Sequence, residues 1–157
     1  MKTQYVITAV LVALPIMLGQ AYAGEKELSK SQVPKAVINA FEKAYPNAKE
    51  LEFEEETFEG KAAYEVEYKE NGKEYELLYS ADGALLQKEE EIDSKSLPEP
   101  VAQAILKAHP KAVIEEAEKV MKPDGTVTGY EVELKLAGKE IELELDVSGN
   151  ILKTENE

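Results

Sequence analysis

The stretch that decides the fold is Gly129-Tyr-Glu-Val-Glu-Leu-Lys-Leu-Ala-Gly-Lys-Glu-Ile-Glu-Leu-Glu-Leu-Asp146. Apolar and charged residues alternate on both sides of Ala137-Gly138, which is the period of a half-buried β-hairpin and not of a helix. A two-residue turn at this point predicts three apolar pairs across the hairpin: Leu134 with Ile141, Val132 with Leu143, and Tyr130 with Leu145. One face of this hairpin is therefore predicted to be buried.

An earlier copy of the hairpin runs from Ala63-Tyr-Glu-Val-Glu-Tyr-Lys-Glu-Asn-Gly-Lys-Glu-Tyr-Glu-Leu-Leu-Tyr-Ser80. Asn71-Gly72 is typical of a type I′ turn, because both residues tolerate positive φ. This turn predicts the pairs Tyr68 with Tyr75, Val66 with Leu77, and Tyr64 with Tyr79. The protein is thus built on a repeated hairpin.

Each hairpin follows a helical pattern. From Gln32 to Tyr45 apolar residues recur at three- and four-residue spacing, with Pro34 in the first turn and Pro46 after the end. The same pattern returns between Leu97-Pro98 and Pro110. These signals predict a helix before each hairpin.

Further strands flank the first hairpin. Leu51 and Phe53 alternate with glutamates, and Asp82-Gly83 turns the chain into a short strand around Leu85–Glu89. Counterparts in the second copy are Ser148-Gly149 and Ile151-Leu152, and an insertion near Lys122–Gly125 offsets the copies. The sequence therefore predicts an α+β fold of two tandem α-β-β-β-β repeats, with the helices packed on antiparallel sheet or sheets.

The repeats are predicted to span residues 24–93 and 94–157, joined by a polar linker from Glu89 to Ser96. A unit of this size buries too little surface to be robust alone. We therefore expect the two copies to share a core or a continuous sheet, and the sequence leaves both arrangements open.

Residues 1–23 have the pattern of a secretory signal peptide. Lys2 precedes an apolar run from Val6 to Leu18, and Ala21-Tyr22-Ala23 matches an A-x-A cleavage site. The run is short for a membrane span, so an uncleaved anchor is the less favoured alternative. The absence of Cys excludes a lipoprotein. We expect a periplasmic or secreted protein with no stable membrane span after cleavage.

At this point the combined motifs resemble a known family. A helix that opens on Leu-Pro or Val-Pro and closes on Ala-x-Pro, followed by Tyr-Glu-Val-Glu, Gly-Lys-Glu and a Asp-Gly or Ser-Gly turn, is similar to the PepSY-like domain. The chain is similar in particular to the exported tandem proteins described as β-lactamase-inhibitor-like, and the resemblance extends from about Gln32 to the C-terminus. It implies two helix-plus-antiparallel-sheet repeats, no catalytic residues, and a role in binding or inhibiting envelope proteins. None of the matching positions is a recognised contact motif, so no inhibitory residues are carried over.

Charge narrows the choice of partners. The chain has 32 acidic residues against 18 basic ones, and its net charge is −14. Such a balance repels nucleic acid and anionic membrane surfaces, since both are bound mainly through basic side chains. The expected partners are basic or neutral proteins and, more weakly, divalent cations.

Candidate chemistry is sparse. The chain has one histidine, His109, which is expected to be an ordinary helix-terminal residue. Without Cys or further His a closed zinc site is improbable, and no cofactor and no catalytic residue is predicted. The tyrosines of the hairpins could form a ligand platform, but their period-2 spacing favours the core for Tyr64, Tyr68, Tyr75, Tyr79 and Tyr130.

The acidic side of the two hairpins is the candidate site. It is expected to face solvent and to present Glu65, Glu67, Glu74, Glu76, Glu131, Glu133, Glu140, Glu142 and Glu144, interrupted by Lys69 and Lys135. Two like-charge pairs are predicted to face each other, Glu67 with Glu76 and Glu133 with Glu142. One interpretation is a solvated surface that keeps the protein soluble and protects sheet edges. The other is a docking face for a protein, or a surface that gathers Ca²⁺ weakly; without EF-hand spacing no specific metal site is predicted.

These patterns favour an exported, non-catalytic binding module, and the resemblance to PepSY-like proteins implies a protein or peptidase inhibitor, or an accessory protein of an envelope sensor. The alternative is a periplasmic cation-binding or buffering protein that uses the acidic face without a protein partner. An enzyme that uses paired carboxylates as acid and base is disfavoured, because abundant glutamates produce such pairs by chance.

Overall fold

The computed structural model describes residues 26–156, so the predicted signal peptide and its cleavage lie outside the described residues. Within this described range, two α-helices, a short 3-10 helix at Ser94–Ser96 and nine strands follow one another. The helices are α1 (Lys35–Ala44) and α2 (Glu99–Ala108). The strands are β1 (Lys26–Glu27), β2 (Lys49–Phe58), β3 (Lys61–Glu70), β4 (Lys73–Ser80), β5 (Leu85–Glu91), β6 (Val113–Met121), β7 (Val127–Leu136), β8 (Lys139–Asp146) and β9 (Ile151–Asn156).

All nine strands form one curled antiparallel sheet in sequence order. The two repeats join where β5 pairs with β6, with Lys88 opposite Met121 and Glu91 opposite Glu118. Of the two arrangements left open by the sequence, the structure therefore has the continuous sheet. The hairpin registers are those expected, with Tyr68 opposite Tyr75 and Leu134 opposite Ile141.

The predicted number of strands in the first repeat was wrong, because β1 adds one. Lys26 and Glu27 pair with Glu55 and Glu54 of β2, and the Leu28 N–H donates to the Phe53 carbonyl at 2.7 Å. Two polar residues have no alternation by which a strand could be recognised. They become a strand only because the edge of β2 offers them backbone partners.

In the second repeat, β5 pairs with β6 in the way that β1 pairs with β2 in the first repeat. There the Ile92 N–H donates to the Ala117 carbonyl at 2.8 Å, after Glu90 and Glu91 have paired with β6. The prediction of a linker from Glu89 to Ser96 was therefore wrong in its first part, since Glu89–Glu91 belong to a strand. The charged side chains of Glu89–Glu91 are typical of a linker, but the backbone of β5 is paired with the neighbouring strands β4 and β6.

The helices begin later than predicted, at Lys35 and Glu99. Pro34 and Pro98 take extended ψ values of 134° and 145° as the N-cap residues, so neither lies inside the first turn. The C-caps are Tyr45 and His109, each followed by proline. The proline after each C-cap keeps that residue out of the helical conformation and ends the helix.

Each repeat has its own hydrophobic core, on the side of the sheet that carries the helices. In the first, α1 packs with Val37 and Phe41 against the sheet residues Val66 and Leu77. In the second, α2 packs with Val101 and Ile105 against a set that includes Val132, Leu134 and Leu143. The hairpin tyrosines lie on this side, as expected: Tyr68 and Tyr79 are buried, and Tyr64, Tyr75 and Tyr130 are partly buried against the clusters. The repeats thus share a sheet and not a core.

Within residues 26–156, neither helix has the length and the apolar character that crossing a membrane requires.

Candidate functional site

The glutamates of the candidate site lie on the sheet face opposite the helices. Side chains alternate along a strand, so the residues between the core positions of β3, β4, β7 and β8 point to this second face. The structure pairs Glu67 with Glu76 and Glu133 with Glu142, the like-charge pairs that the hairpin registers predict. We call this surface the acidic face. Its further carboxylates come from the other strands: Glu52, Glu54, Glu56, Glu89, Glu91, Glu116, Glu118 and Glu155.

The acidic face is not evenly exposed to water, which corrects the expectation of a solvated surface. Ala63 and Leu78 lie on it and are only 0% and 3% exposed. Glu89 and Glu118 are also buried, at 7% and 6% exposed. We infer from this burial that the curled sheet closes toward this face, around its middle.

Carboxylates on distant strands also interact electrostatically with groups in the middle of the face. Glu89 of β5 is influenced by Glu56 of β2 and by Glu144 of β8, each three strands away. In a flat sheet strands three apart are about 14 Å from each other, which exceeds the screening length of about 10 Å at 0.1 M salt. The acidic face therefore acts electrostatically as one concave surface.

Three carboxylates meet at the middle of the face, and we call them the central cluster: Glu76, Glu89 and Glu118. Glu76 lies directly opposite Glu89 across β4 and β5. Glu89 in turn lies opposite Val120, two residues from Glu118 on the same side of β6, which is a diagonal neighbour. One oxygen from each carboxylate lies within 4.8 Å of the others.

The polar atoms of the central cluster are incompletely satisfied. Gln87 Nε2 donates to Glu89 Oε1 at 2.8 Å. Glu89 Oε2 and Glu118 Oε1 are buried and have no hydrogen-bond partner among residues 26–156. An ionised carboxylate buried in this state costs on the order of several kcal/mol, because water no longer solvates the charge.

Burial and mutual repulsion favour the protonated state of these groups. Burial and, after it, the charges of Glu89 and Glu116 together raise the pKa of Glu118 to about 9. Burial raises the pKa of Glu89 to about 7, against the lowering effect of the Gln87 hydrogen bond. The pKa values of Glu76 and Glu131 are also raised, first by burial and then by neighbouring carboxylates.

Two more groups of carboxylates flank the central cluster: Glu74 with Glu91 and Glu116, and Glu131 with Glu142 and Glu144. Their members are half-buried, and some have lysine partners. Lys69 Nζ lies 3.0 Å from Glu74, and Lys153 Nζ lies 3.1 Å from Glu144. These lysines offset part of the negative charge at the edges of the face.

His109 is the C-cap of α2, and its N–H donates to the Ile105 carbonyl at 2.8 Å. It is thus the helix-terminal residue that the sequence predicts. It belongs to the helix side of the sheet, so it is not a component of the acidic face.

Sequence reasoning missed Glu89 and Glu118 as site residues. A signal for Glu118 existed, since Glu116-Ala117-Glu118 alternates around a buried alanine and mirrors Glu52-Phe53-Glu54 of the first repeat. Glu89 was assigned to the end of a strand and the start of a linker, where no side-chain direction could be assigned. Nothing in the sequence indicates that residues so far apart meet, because the contact depends on the pairing of β5 with β6.

Comparison with known proteins places the chain in a family. A family model described as "Putative beta-lactamase-inhibitor-like, PepSY-like" matches it twice, at residues 22–87 and 85–153. No sequence among the curated proteins matches.

Several solved structures have a similar fold. One is a BLIP-like protein from Bacteroides fragilis, at 24% identity and a TM-score of 0.52, with 77% of this chain and 84% of that one covered. Another, from Bacteroides eggerthii, is called a "putative periplasmic" protein and gives 16% identity, a TM-score of 0.60 and coverage of 79% and 88%. A DUF2874 family protein from Bacteroides uniformis gives 16% identity, a TM-score of 0.58 and coverage of 78% and 88%.

Each of the two family matches contains one helix and the hairpin that follows it, and together they span residues 22–153. The chain therefore belongs to the β-lactamase-inhibitor-like, PepSY-like family.

Proposed function

We propose that this protein is a periplasmic, non-catalytic binding module that docks a basic protein surface on its acidic face. The observation that carries this proposal is the segregation of charge across the sheet. One face is covered by α1 and α2, whereas the other is concave and lined by carboxylates from β2 to β9. A concave surface of one sign of charge steers and orients an oppositely charged partner.

The family supports a binding role and a periplasmic location. Its description is inhibitor-like, and a protein of similar fold from Bacteroides eggerthii is called periplasmic. The residues proposed to contact the partner are the nine hairpin glutamates of the acidic face, with exposed Glu133 and Glu140 at the accessible edge. Nucleic acid and anionic membrane surfaces are excluded as partners because such a face repels them.

Capture of periplasmic proteins from the producing bacterium tests the proposal. The mature chain is immobilised as wild type and as the double variant Glu133→Lys/Glu140→Lys, which reverses two exposed charges on the acidic face. We expect the variant to bind the captured protein at least about tenfold more weakly, a loss of about 1.4 kcal/mol. Wild-type binding should also weaken as salt is added, because exposed charges are screened.

The matched control is Glu42→Lys/Glu59→Lys, which makes the same charge change at exposed positions on α1 and in the β2–β3 turn. This control should bind as the wild type does. Equal retention of the partner by both double variants would contradict the proposed docking face. So would a captured protein whose own contact surface is acidic.

Inhibition is the more specific form of this function, and the family description favours it. Purified β-lactamases and periplasmic peptidases are suitable targets for a direct assay. Slower substrate turnover with the wild type, relieved in the Glu133→Lys/Glu140→Lys variant, would support inhibition through the acidic face. Unchanged turnover in every assay would leave a binding module without inhibitory activity against these enzymes.

A further inference from the structure

We propose that Glu76, Glu89 and Glu118 form a binding site for one hard divalent cation of the calcium class, at the junction of the two repeats. The site lies on the acidic face but does not depend on the proposed docking of a protein. It replaces the expectation from sequence that the chain has no specific metal site.

The first argument is that the central cluster contains buried carboxylate oxygens without hydrogen-bond partners among the described residues. Glu89 and Glu118 are more than nine-tenths buried, and each keeps one oxygen without a hydrogen-bond partner among the described residues. Buried polar atoms are satisfied in nearly all native proteins, so an exception needs a physical reason. A bound cation supplies one, because it accepts lone pairs from several carboxylates and removes their repulsion at once.

The second argument is distance. The three carboxylates each offer an oxygen within 4.8 Å of the others. Calcium bonds to oxygen at 2.3–2.6 Å, so oxygens on opposite sides of one ion stand about 4.6–5.2 Å apart. Three oxygens no more than 4.8 Å apart lie at most about 2.8 Å from a common centre, so small rotations of the side chains bring all three carboxylates to one calcium ion while the strands stay in place.

The third argument is the type of ligand. The cluster offers carboxylate oxygens only, which suit hard cations, and neither of the ligands preferred by zinc is near: the chain has no Cys, and His109 caps α2. The charges that act most strongly on Glu76 are also carboxylates, namely Glu65, Glu118 and Glu89. The flanking carboxylate groups have no comparable buried, unpartnered oxygen, so they carry no such inference.

The position of the site gives the cation a structural role. Glu76 and Glu89 belong to the first repeat and Glu118 to the second. A cation held by all three links β4, β5 and β6 across the joint between the repeats. Binding should therefore stabilise the junction as well as neutralise charge.

Calorimetric titration of the metal-free mature protein with CaCl₂ and with MgCl₂ tests the site. We expect one calcium ion per chain with a Kd of about 10⁻⁴–10⁻³ M, typical of extracellular calcium modules, and weaker magnesium binding. Calcium should raise the melting temperature more than NaCl at equal ionic strength does. Absence of saturable calcium binding would overturn the proposal, as would an equal shift of the melting temperature by NaCl.

Substitution of the proposed ligands gives an independent test, because the melting temperature of the metal-free protein should rise while the affinity for calcium falls. Glu118→Gln and Glu89→Gln keep the side-chain shape and remove one charge, so each should raise the melting temperature of the metal-free protein while weakening calcium binding at least about tenfold. The control Glu52→Gln makes the same charge change at an exposed position of the acidic face and should leave calcium binding within about twofold. If Glu52→Gln and Glu118→Gln weakened calcium binding equally, calcium would be attracted diffusely to the acidic face. That result would overturn the proposed site.

Discussion

Glu90 of β5 lies opposite Lys119 of β6, and the Lys119 Nζ donates to Glu90 Oε2 at 2.9 Å. This ion pair joins the two repeats on the helix side of the sheet, opposite the central cluster. Lys73 reaches the other oxygen of the same carboxylate at 2.6 Å. Hydrogen bonds from Lys73 and then Lys119 hold the pKa of Glu90 below its ordinary value. The pair should therefore stabilise the fold at neutral pH and lose that effect as acid protonates Glu90.

Lys119→Met should lower the free energy of unfolding at pH 7 by about 1 kcal/mol, because it removes a partly buried charge partner and keeps the apolar stem. Urea denaturation measures the change. The control Lys30→Met removes a pair with Glu42 that is closer, at 2.6 Å, but half-exposed, and it should change stability by less than about 0.5 kcal/mol. Equal effects of the two substitutions would mean that the repeat junction gains nothing from its ion pair.

The stability of the metal-free protein should fall as the pH rises from 5 to 9. Burial raises the pKa of Glu118 from 4.5 to about 9, so between these values the folded chain binds a proton that the unfolded chain releases. For one such proton the free energy of unfolding falls by up to about 1.4 kcal/mol per pH unit. Denaturation in the presence of a chelator at several pH values measures this slope.

The Glu118→Gln variant should have a shallower slope, since it removes this proton, whereas exposed Glu52→Gln should keep the slope of the wild type. Burial also raises the pKa of Glu89, to about 7, so this group titrates in the same range and contributes to the remaining slope. A metal-free wild type whose stability rises with pH between 5 and 9 would contradict the burial of these groups.

Gly149→Ala should destabilise the protein more than Gly138→Ala. Both glycines have positive φ, at 83° and 82°, so alanine is strained by about 1–2 kcal/mol at either position. A Cβ on Gly149 would also lie 2.4 Å from the Pro100 carbonyl oxygen, whereas a Cβ on Gly138 meets nothing within 4 Å. The contact should add about 1–3 kcal/mol to the loss at Gly149. Thermal or urea denaturation measures the stability of the two variants. Equal losses of stability would mean that the turn before β9 does not pack closely against the first turn of α2.

The proposed division into repeats 24–93 and 94–157 predicts the behaviour of the separate halves. Each half keeps its own core, but separation removes the pairing of β5 with β6 and exposes both strands as sheet edges. We expect each half to unfold at a clearly lower urea concentration than the whole chain, with a smaller m value. Coincident midpoints for the whole chain and either half would show that the repeats fold independently.

The sequence by itself determined the repeated hairpins, their registers and the face on which each side chain lies. These features are local: the turns Asn71-Gly72 and Ala137-Gly138 fix which residues pair, and alternation fixes which pairs are apolar. Proline after Tyr45 and after His109 likewise ended each helix close to its predicted end. No long-range information was needed for these predictions.

Only the tertiary structure decided that the repeats form one sheet, that β1 covers the edge of β2, and that the middle of the acidic face is closed to water. Alternation around Ala117 indicates that Glu118 points away from the helices, but it assigns no direction to Glu89 and does not show how far the sheet curls over either residue. Burial of a sheet face depends on strands that are distant in sequence, and here on the pairing of β5 with β6. The candidate cation site exists for that reason alone, because its three carboxylates come from different strands and from both repeats.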